Sequence, residues 1–257
     1  MMLKSESKQE IIRRLKGDLL RWEGCNASQE GTKPLGLGPL ERAFPSGVFP
    51  LGGLHEFIST DPEQKAASNG FIAGLLGCLM SKGSACLWIS ASRTVFPPAL
   101  KNFGVDPDRI LFADLRYEKD VLWALEESLK CPGLTAVVAE LRDLDFIQSR
   151  RLQLAVEKTR VTGFLLRNNP RYLTTTACAA RWQVRPVPSD AEDGMPGVGF
   201  PRWHVALLKV RNGLPGNWFV EWSAGRFHPV PSAAPAATPP AAASSAAAPP
   251  ASARNTG

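Results

Sequence analysis

Hydrophobic and polar positions alternate along the chain between short apolar runs and longer segments with helical spacing. Apolar runs at residues 54–58, 85–90, 109–113, 135–140 and 163–166 predict strands, several of them buried on both faces. Helical spacing of apolar residues extends from Lys65 to Gly83 and recurs at residues 99–103, 118–129 and 144–159. This alternation predicts an α/β fold with a mostly parallel sheet flanked by helices.

The pattern changes after residue 180. Strand-like runs at residues 181–187, 203–210 and 218–222 follow one another with no helix between them. Asn212-Gly213 and the following Leu214-Pro215-Gly216 supply turn residues between the last two runs. We therefore expect the sheet to end in a C-terminal antiparallel hairpin.

Both ends of the chain differ from this central part. Ile11, Leu15 and Trp22 recur at helical spacing among lysines and arginines, which predicts an amphipathic helix. We divide the chain into this N-terminal helix (1–22), a Gly-, Pro- and Ser-rich connector (23–50), a core domain (51–230) and an Ala- and Pro-rich tail (231–257). The tail has too few large apolar residues to offset the entropy of ordering, so we predict that it is disordered.

Composition limits the class of protein without identifying it. With 257 residues, of which 44% are hydrophobic and 21% charged, the chain is long enough for one sizeable core. Five scattered cysteines and three histidines indicate a reducing compartment and no metal site. No apolar run reaches the roughly 18 residues of a membrane span, so we expect a cytoplasmic protein. The net charge of +6 permits an acidic partner, nucleic acid included, without identifying one.

The turn after the first predicted strand occupies the place of a phosphate-binding loop. Such a loop has the form G-x-x-x-x-G-K followed by serine or threonine, because glycines let backbone N–H groups surround the phosphates and the hydroxyl holds magnesium. Here Ser59 stands at the first glycine, Gln64 at the second, Lys65 at the lysine and Ala66 at the hydroxyl. Of the four signature positions, only the lysine is retained.

The same turn carries the signature of a helix cap. Asp61 precedes Pro62, a residue suited to the first helical position, and Gln64 stands third in the helix. Thr60 with Glu63 offers an alternative register of the same cap. In either register the chain's own side chains use N–H groups that a phosphate needs, and carboxylates face the positive end of the helix dipole. We predict that ATP turnover is absent or very weak.

Residues 53–143 resemble the RecA-family ATPase core, including the segment Phe103-Gly104-Val105-Asp106-Pro107-Asp108-Arg109-Ile110-Leu111-Phe112. More closely, three stretches resemble the ImuA-type mutagenesis proteins, within a similarity that covers about residues 35 to 230. They are His55-Glu56-Phe57-Ile58, the strand at 137–141 and the ending Leu207-Leu208-Lys209-Val210-Arg211-Asn212-Gly213-Leu214-Pro215-Gly216. The resemblance implies a RecA-like partner of a Y-family polymerase-like protein and an error-prone replicative-type polymerase, acting in damage-induced translesion synthesis.

The resemblance also assigns two further positions of the nucleotide site. Ser92 stands where RecA-type proteins carry the glutamate that activates water, and Glu140 stands where an aspartate helps to hold magnesium. A serine hydroxyl does not act as a carboxylate base at neutral pH. For Glu140, a solvated carboxylate at a strand end is an equally good interpretation. We therefore expect no required cofactor, with ATP as a doubtful candidate.

RecA-type proteins bind DNA through two loops, which correspond here to shortened segments near 142–151 and 168–180. Candidate DNA contacts in and beside them are Arg150, Arg151, Arg167, Arg171 and Tyr172, because arginines meet phosphates and a tyrosine stacks on a base. Surface charges and a packed tyrosine are the equally weighted alternative. Candidate partner contacts at the two ends of the chain are Ile11, Leu15, Trp22, Trp218 and Trp222, since aromatic residues are enriched at interfaces.

Three functions remain open from the sequence. The first is a non-hydrolysing RecA-like adaptor of a translesion complex, with single-stranded DNA or RecA as further candidate partners. The second is a cell-division inhibitor of the SulA kind, which binds the division tubulin. The third is a weak ATP-dependent DNA-binding ATPase.

Overall fold

A computed structural model describes residues 34–80, 84–93, 95–189 and 199–231. The strands are β1 Leu54–Ser59, β2 Cys86–Ser90, β3 Ile110–Asp114, β4 Ala136–Leu141, β5 Thr162–Asn168, β6 Ala180–Val187, β7 Arg202–Val210, β8 Gly216–Ser223 and β9 Arg226–Val230. The α-helices are α1 Pro62–Leu79, α2 Glu118–Leu129 and α3 Phe146–Thr159. Short 3-10 helices span Gly38–Ala43, Pro45–Gly47, Pro97–Phe103 and Pro107–Arg109.

These strands form a nine-stranded sheet in the order β3-β2-β4-β5-β1-β6-β7-β8-β9. Neighbours from β3 to β6 run parallel, and β6 to β9 are antiparallel. The predicted α/β class, the mostly parallel sheet and the antiparallel C-terminal end are thus confirmed. Because β1, β2, β4 and β5 are parallel, their carboxyl ends meet at one edge of the sheet.

The sheet is covered on both faces, so its central strands are buried. All six residues of β1 are buried, as are all six of β4. On one face, α1 packs among aromatic residues that include Trp182, Trp203 and Phe227. On the other face, α2 and α3 pack over an aliphatic cluster.

Helix α1 lies unusually close to its neighbours because it carries glycine at the contacts. A Cβ atom at Gly77 would lie 2.0 Å from the carbonyl oxygen of Phe103, and one at Gly74 would lie 2.6 Å from the ring of Phe227. Ordinary van der Waals contacts of a Cβ atom lie at 3.4–4 Å, so both distances are too short for a side chain. Glycine is therefore required at position 77, where the obstacle is backbone.

The described part of the connector, from residue 34 onward, contributes to the core. Leu37, Leu40, Phe44 and Phe49 are all buried in the cluster beneath α1. Only Leu40 among them lies within a 3-10 helix, and none lies in an α-helix, so the helical periodicity that identifies longer elements is missing.

The final strand β9 was not predicted. A turn with Ala224 and Gly225 at φ 49° and 73° reverses the chain after β8 and starts this short strand. Phe227 then packs edge-on against Trp222, with ring centroids 4.8 Å apart. The predicted helix 1–22, with Ile11, Leu15 and Trp22, lies outside the described residues, as does almost all of the predicted tail.

Among the described residues, no helix is both long and apolar enough to span a bilayer.

Candidate functional site

The start of α1 is capped by its own side chains. Asp61 Oδ1 accepts a hydrogen bond from the backbone N–H of Gln64 at 2.7 Å, with Pro62 in the first helical turn. Of the two cap registers considered, the structure has the one based on Asp61. An N–H that a phosphate would need is therefore bonded to a carboxylate.

The Gln64 side chain completes this arrangement differently from a reciprocal capping box. Its amide nitrogen donates to Thr60 Oγ1 at 2.9 Å and to Asp61 Oδ2 at 2.5 Å. Its oxygen accepts from Gln183 on β6 at 3.1 Å and from the N–H of Thr60 at 3.4 Å, not from the N–H of Asp61. The residue at the second glycine position thus ties the turn to the neighbouring strand.

Three candidate residues of the degenerate nucleotide site converge beside this cap. Lys65 Nζ lies 3.0 Å from Glu140 Oε2 and 3.3 Å from Ser92 Oγ. Ser92 Oγ donates to the same Glu140 oxygen at 3.0 Å. The Glu140 side chain is 5% exposed and that of Lys65 is 22% exposed. The lysine at the phosphate-binding position is therefore neutralised by an internal carboxylate in a largely buried environment.

The remaining candidates of this site do not join the Lys65 group. Ser59 is buried, and its hydroxyl lies 3.1 Å from that of Ser68 in α1. Ala66 is exposed. Ser90, which sequence reasoning did not single out, accepts from the N–H groups of Ser92 and Arg93 at 3.0 and 3.1 Å. It fixes the turn that positions Ser92, and only its place at the end of a strand would have indicated this role.

A buried carboxylate on β1 organises a second group that the sequence did not predict. Glu56 is 0% exposed, and its oxygens meet Arg167 Nη1 at 2.5 Å and Arg181 Nε at 2.8 Å. Thr176 Oγ1 donates to it at 2.9 Å. These three partners neutralise or solvate the buried charge, as a carboxylate in a protein interior requires.

The prediction of Arg167 as a DNA contact is wrong. Arg167 is 1% exposed, and besides Glu56 it donates to the carbonyl oxygens of Arg142 at 3.3 Å and Tyr172 at 3.0 Å. Its position on β5, adjacent to β1, directs the guanidinium into the interior toward Glu56.

Residues 171–177 form an irregular loop after β5, and cationic side chains hold its backbone. The carbonyl oxygens of residues 172, 174, 176 and 177 accept, in that order, from Arg167, Arg181, Lys209 and Arg211. Part of the chain's positive charge is therefore used inside the molecule. The loop's Tyr172 side chain, in contrast, is 74% exposed.

The other candidate DNA contacts lie on the surface but not in a uniformly basic environment. Arg150, Arg151 and Arg171 are exposed. Arg151 Nη2 lies 2.7 Å from Glu126, and Arg171 Nε lies 3.8 Å from Asp143. Arg171 also lines a cleft of about 530 Å³, whose other lining residues include carboxylates as well as cations.

The two tryptophan candidates near the C-terminus differ in accessibility. Trp222 is 3% exposed, and its Nε1 donates to the carbonyl oxygen of Asn102 at 3.1 Å. Its prediction as a partner contact is wrong, because it fills the core between α1 and β9. Trp218 is half-buried and packs against the same core.

The described residues show no group of three or more histidine, cysteine or carboxylate side chains placed to hold a metal ion.

Fold and site together define a RecA-like protein in which internal hydrogen bonds occupy the place of the phosphate loop. A crystal structure of the RadB recombinase superposes with a TM-score of 0.51 at 13% identity, covering 72% of this chain and 94% of RadB. That similarity establishes the fold. No protein-family model matches the chain.

Sequence comparison identifies the family. Two proteins named Protein ImuA, from Caulobacter vibrioides strains NA1000 / CB15N and ATCC 19089 / CIP 103742 / CB 15, are each 34% identical to this chain over 194 residues. Each alignment covers 71% of this chain and 80% of the relative. The chain belongs to the ImuA family.

Proposed function

We propose that this protein is a non-hydrolysing RecA-like adaptor that acts in damage-induced mutagenesis. The observation that carries the proposal is the contact of Lys65 with Glu140 and Ser92, where a nucleotide-hydrolysing relative of this fold binds phosphate and activates water. Membership of the ImuA family supports the biological setting.

Nucleotide binding at this site carries an energetic penalty. A phosphate that engaged Lys65 would have to separate it from Glu140, and it would also meet Asp61 at the helix start. Removing one member of a buried ion pair typically costs about 3–5 kcal/mol. Hydrolysis would further need a base, and Ser92 donates its hydroxyl hydrogen to Glu140.

As an adaptor, the protein would bring together components of a translesion synthesis complex. The proposed partners are a Y-family polymerase-like protein and an error-prone replicative-type polymerase, with single-stranded DNA or RecA as further candidates, in the cytoplasm. Large exposed apolar side chains on the described surface support protein contacts.

A complementation experiment tests the proposal. In a deletion strain exposed to DNA damage, the wild-type chain and the double variant Lys65→Met with Glu140→Gln should both restore the induced mutation frequency, because Lys65 takes no part in turnover and the second change leaves no unpaired buried carboxylate. Lys158→Ala, which changes an exposed lysine elsewhere, is the matched control. Melting temperatures identify any variant that fails by unfolding.

Two outcomes would contradict the adaptor. ATP hydrolysis by the purified chain that is lost in Lys65→Met, together with lost mutagenesis, would establish the ATPase instead. Affinity purification from damaged cells that recovers the division tubulin, and no polymerase component, would support the SulA-like function.

A further inference from the structure

One cleft at the carboxyl edge of the sheet is lined by apolar side chains as well as by polar and charged ones. The cleft has a volume of about 530 Å³ and is lined by α2, by the start of α3 and by the 171–177 loop. Leu122, Leu141 and Leu144 are the aliphatic residues of this lining. It therefore offers an apolar recess rather than a purely polar groove.

Tyr172 lines the recess, and four further exposed apolar residues are chain neighbours of residues that line it. We call the following set the cleft surface: Trp123, Phe146, Ile147, Tyr172 and Leu173. Trp123 is 67% exposed, Ile147 72% and Tyr172 74%. Isolated exposed apolar residues are common, but several of them in the segments that line one recess are typical of a protein interface, with Trp and Tyr as frequent anchors.

The backbone under this surface is fixed before any partner arrives. The four carbonyl groups held by Arg167, Arg181, Lys209 and Arg211 belong to the same loop that carries Tyr172 and Leu173. At the other side of the recess, Asp145 caps α3 in a complete capping box with Gln148. A partner would pay little ordering entropy to engage such a surface.

The carboxylates near the cleft are engaged within the chain. Glu118 Oε1 accepts from the backbone N–H groups of Arg142 and Asp143 at 2.5 and 3.0 Å. Asp143 Oδ1 accepts from the N–H of Arg171 at 3.0 Å. These acids stabilise loop and helix starts, so they are poorly placed to recruit a basic partner.

The exposed arginines near the cleft make weaker ionic contacts within the chain than its carboxylates do. Arg150 is exposed one turn beyond Ile147 and makes no ion pair within the described part of the chain. The Arg171 side chain is 64% exposed and lies 3.8 Å from its carboxylate, longer than a hydrogen bond. Arg171 lines the recess, and Arg150 lies two positions after Gln148, which also lines it, so charge complementarity there favours a partner with carboxylates.

A protein segment fits these features better than single-stranded DNA. Aromatic residues and arginines serve both kinds of partner, but the aliphatic side chains of Ile147 and Leu173 offer no ring on which a base stacks.

We propose that the cleft surface binds an apolar segment of a partner protein, with carboxylates on that segment facing Arg150 and Arg171. This inference rests on the proposed adaptor function and assigns it a contact surface.

Site-specific photo-crosslinking tests the proposal in the full-length chain. A benzophenone amino acid replaces Tyr172 or Trp123 in damaged cells, and mass spectrometry maps the linked segment. The control position is Leu214, which is 75% exposed in the turn between β7 and β8. We expect links to one protein segment rich in apolar residues and carboxylates, at a yield about tenfold above that at Leu214.

Charge reversal supplies the second measurement. Arg150→Glu with Arg171→Glu should lower the crosslink yield at Tyr172 about tenfold, while the melting temperature stays near that of the parent. An unchanged yield would overturn the assigned partner chemistry.

Other outcomes would overturn the surface itself. These are links to DNA, links to a basic segment, or equal yields at Tyr172, Trp123 and Leu214. Crosslinks to polymerase components only at Leu214 would contradict the assignment of the cleft surface as the contact site, but they would still support the adaptor function. Normal induced mutagenesis in the deletion strain would remove the adaptor function itself.

Discussion

Two loops at the same edge of the sheet show opposite uses of internal bonding. The turn after β1 saturates backbone N–H groups with the side chains of Asp61 and Gln64. The loop after β5 saturates backbone carbonyls with four cationic side chains. The first removes the donors that a phosphate needs, whereas the second fixes a backbone and leaves Tyr172 exposed. Internal hydrogen bonds thus block a phosphate site at the turn after β1, and they hold the loop after β5 in a conformation that exposes Tyr172.

The largest expected effect is at Glu56, the carboxylate on β1 whose arginine partners hold the loop after β5. Glu56→Gln removes the charge that pairs with Arg167 and Arg181, and breaking such a buried pair typically costs about 3–5 kcal/mol. Denaturant unfolding measures this loss of stability. Glu127→Gln, at an exposed ion pair, should cost less than about 1 kcal/mol. Equal losses for the two variants would break the comparison, because the loop would then not depend on its buried charge.

Acidification probes β1, the strand that supports both loops. His55 is buried, with Nε2 2.9 Å from the carbonyl oxygen of Pro50 and Nδ1 accepting from the Trp182 indole N–H at 3.4 Å. Burial lowers the pKa of His55 from 6.5 to about 4.

The sign of the pH effect follows from that shift. Between pH 6.5 and 4 the unfolded chain binds a proton at His55 that the folded chain does not. The free energy of unfolding should therefore fall on acidification by about 1.4 kcal/mol per pH unit, about 3 kcal/mol in all from this group. Urea unfolding at several pH values measures the slope. The slope should flatten in His55→Leu; an unchanged slope would assign the effect to other groups.

A smaller effect is expected at the turn after β1. Asp61→Ala removes the cap of α1 and should cost about 1 kcal/mol of stability, the usual value for a lost N-cap. Asp61→Asn keeps an oxygen that accepts from Gln64 and should retain most of that stability. Thermal unfolding compares the two. If Asn is as damaging as Ala, the cap is not what stabilises this turn.

The smallest effect on stability is expected at Tyr172, whose backbone carbonyl is hydrogen-bonded and whose side chain is exposed. Tyr172→Ala should change the free energy of unfolding by less than about 0.5 kcal/mol, because the side chain is exposed and only the carbonyl is bonded. The same unfolding assay as for Glu56→Gln provides the comparison. A loss of several kcal/mol would mean that the Tyr172 side chain supports the loop.

Local sequence patterns predicted much of the fold. The strand and helix alternation depends on neighbouring residues, and so does the Asp61-Pro62 cap; both are visible in short windows. β9 escaped prediction because its five residues include Pro229 and follow β8 after a two-residue turn.

The errors at the candidate site involve residues far apart in the chain. Arg167 meets Glu56 across 111 positions, and Trp222 meets Asn102 across 120. Whether an arginine or a tryptophan is buried by such a partner depends on strand order, which no local pattern contains. The convergence of Lys65, Ser92 and Glu140, in contrast, follows from parallel strands sharing one edge.

The glycine contact at position 77 has a mechanical consequence. In a nucleotide-driven machine, the helix after the phosphate loop transmits the state of the nucleotide to the rest of the domain. Here the first turn of α1 is tied to β6 through Gln64, and its last turns rest against the backbone at Phe103. Because both ends of α1 are held by internal contacts, we expect this helix to stay fixed relative to the sheet and not to transmit a change at its first turn.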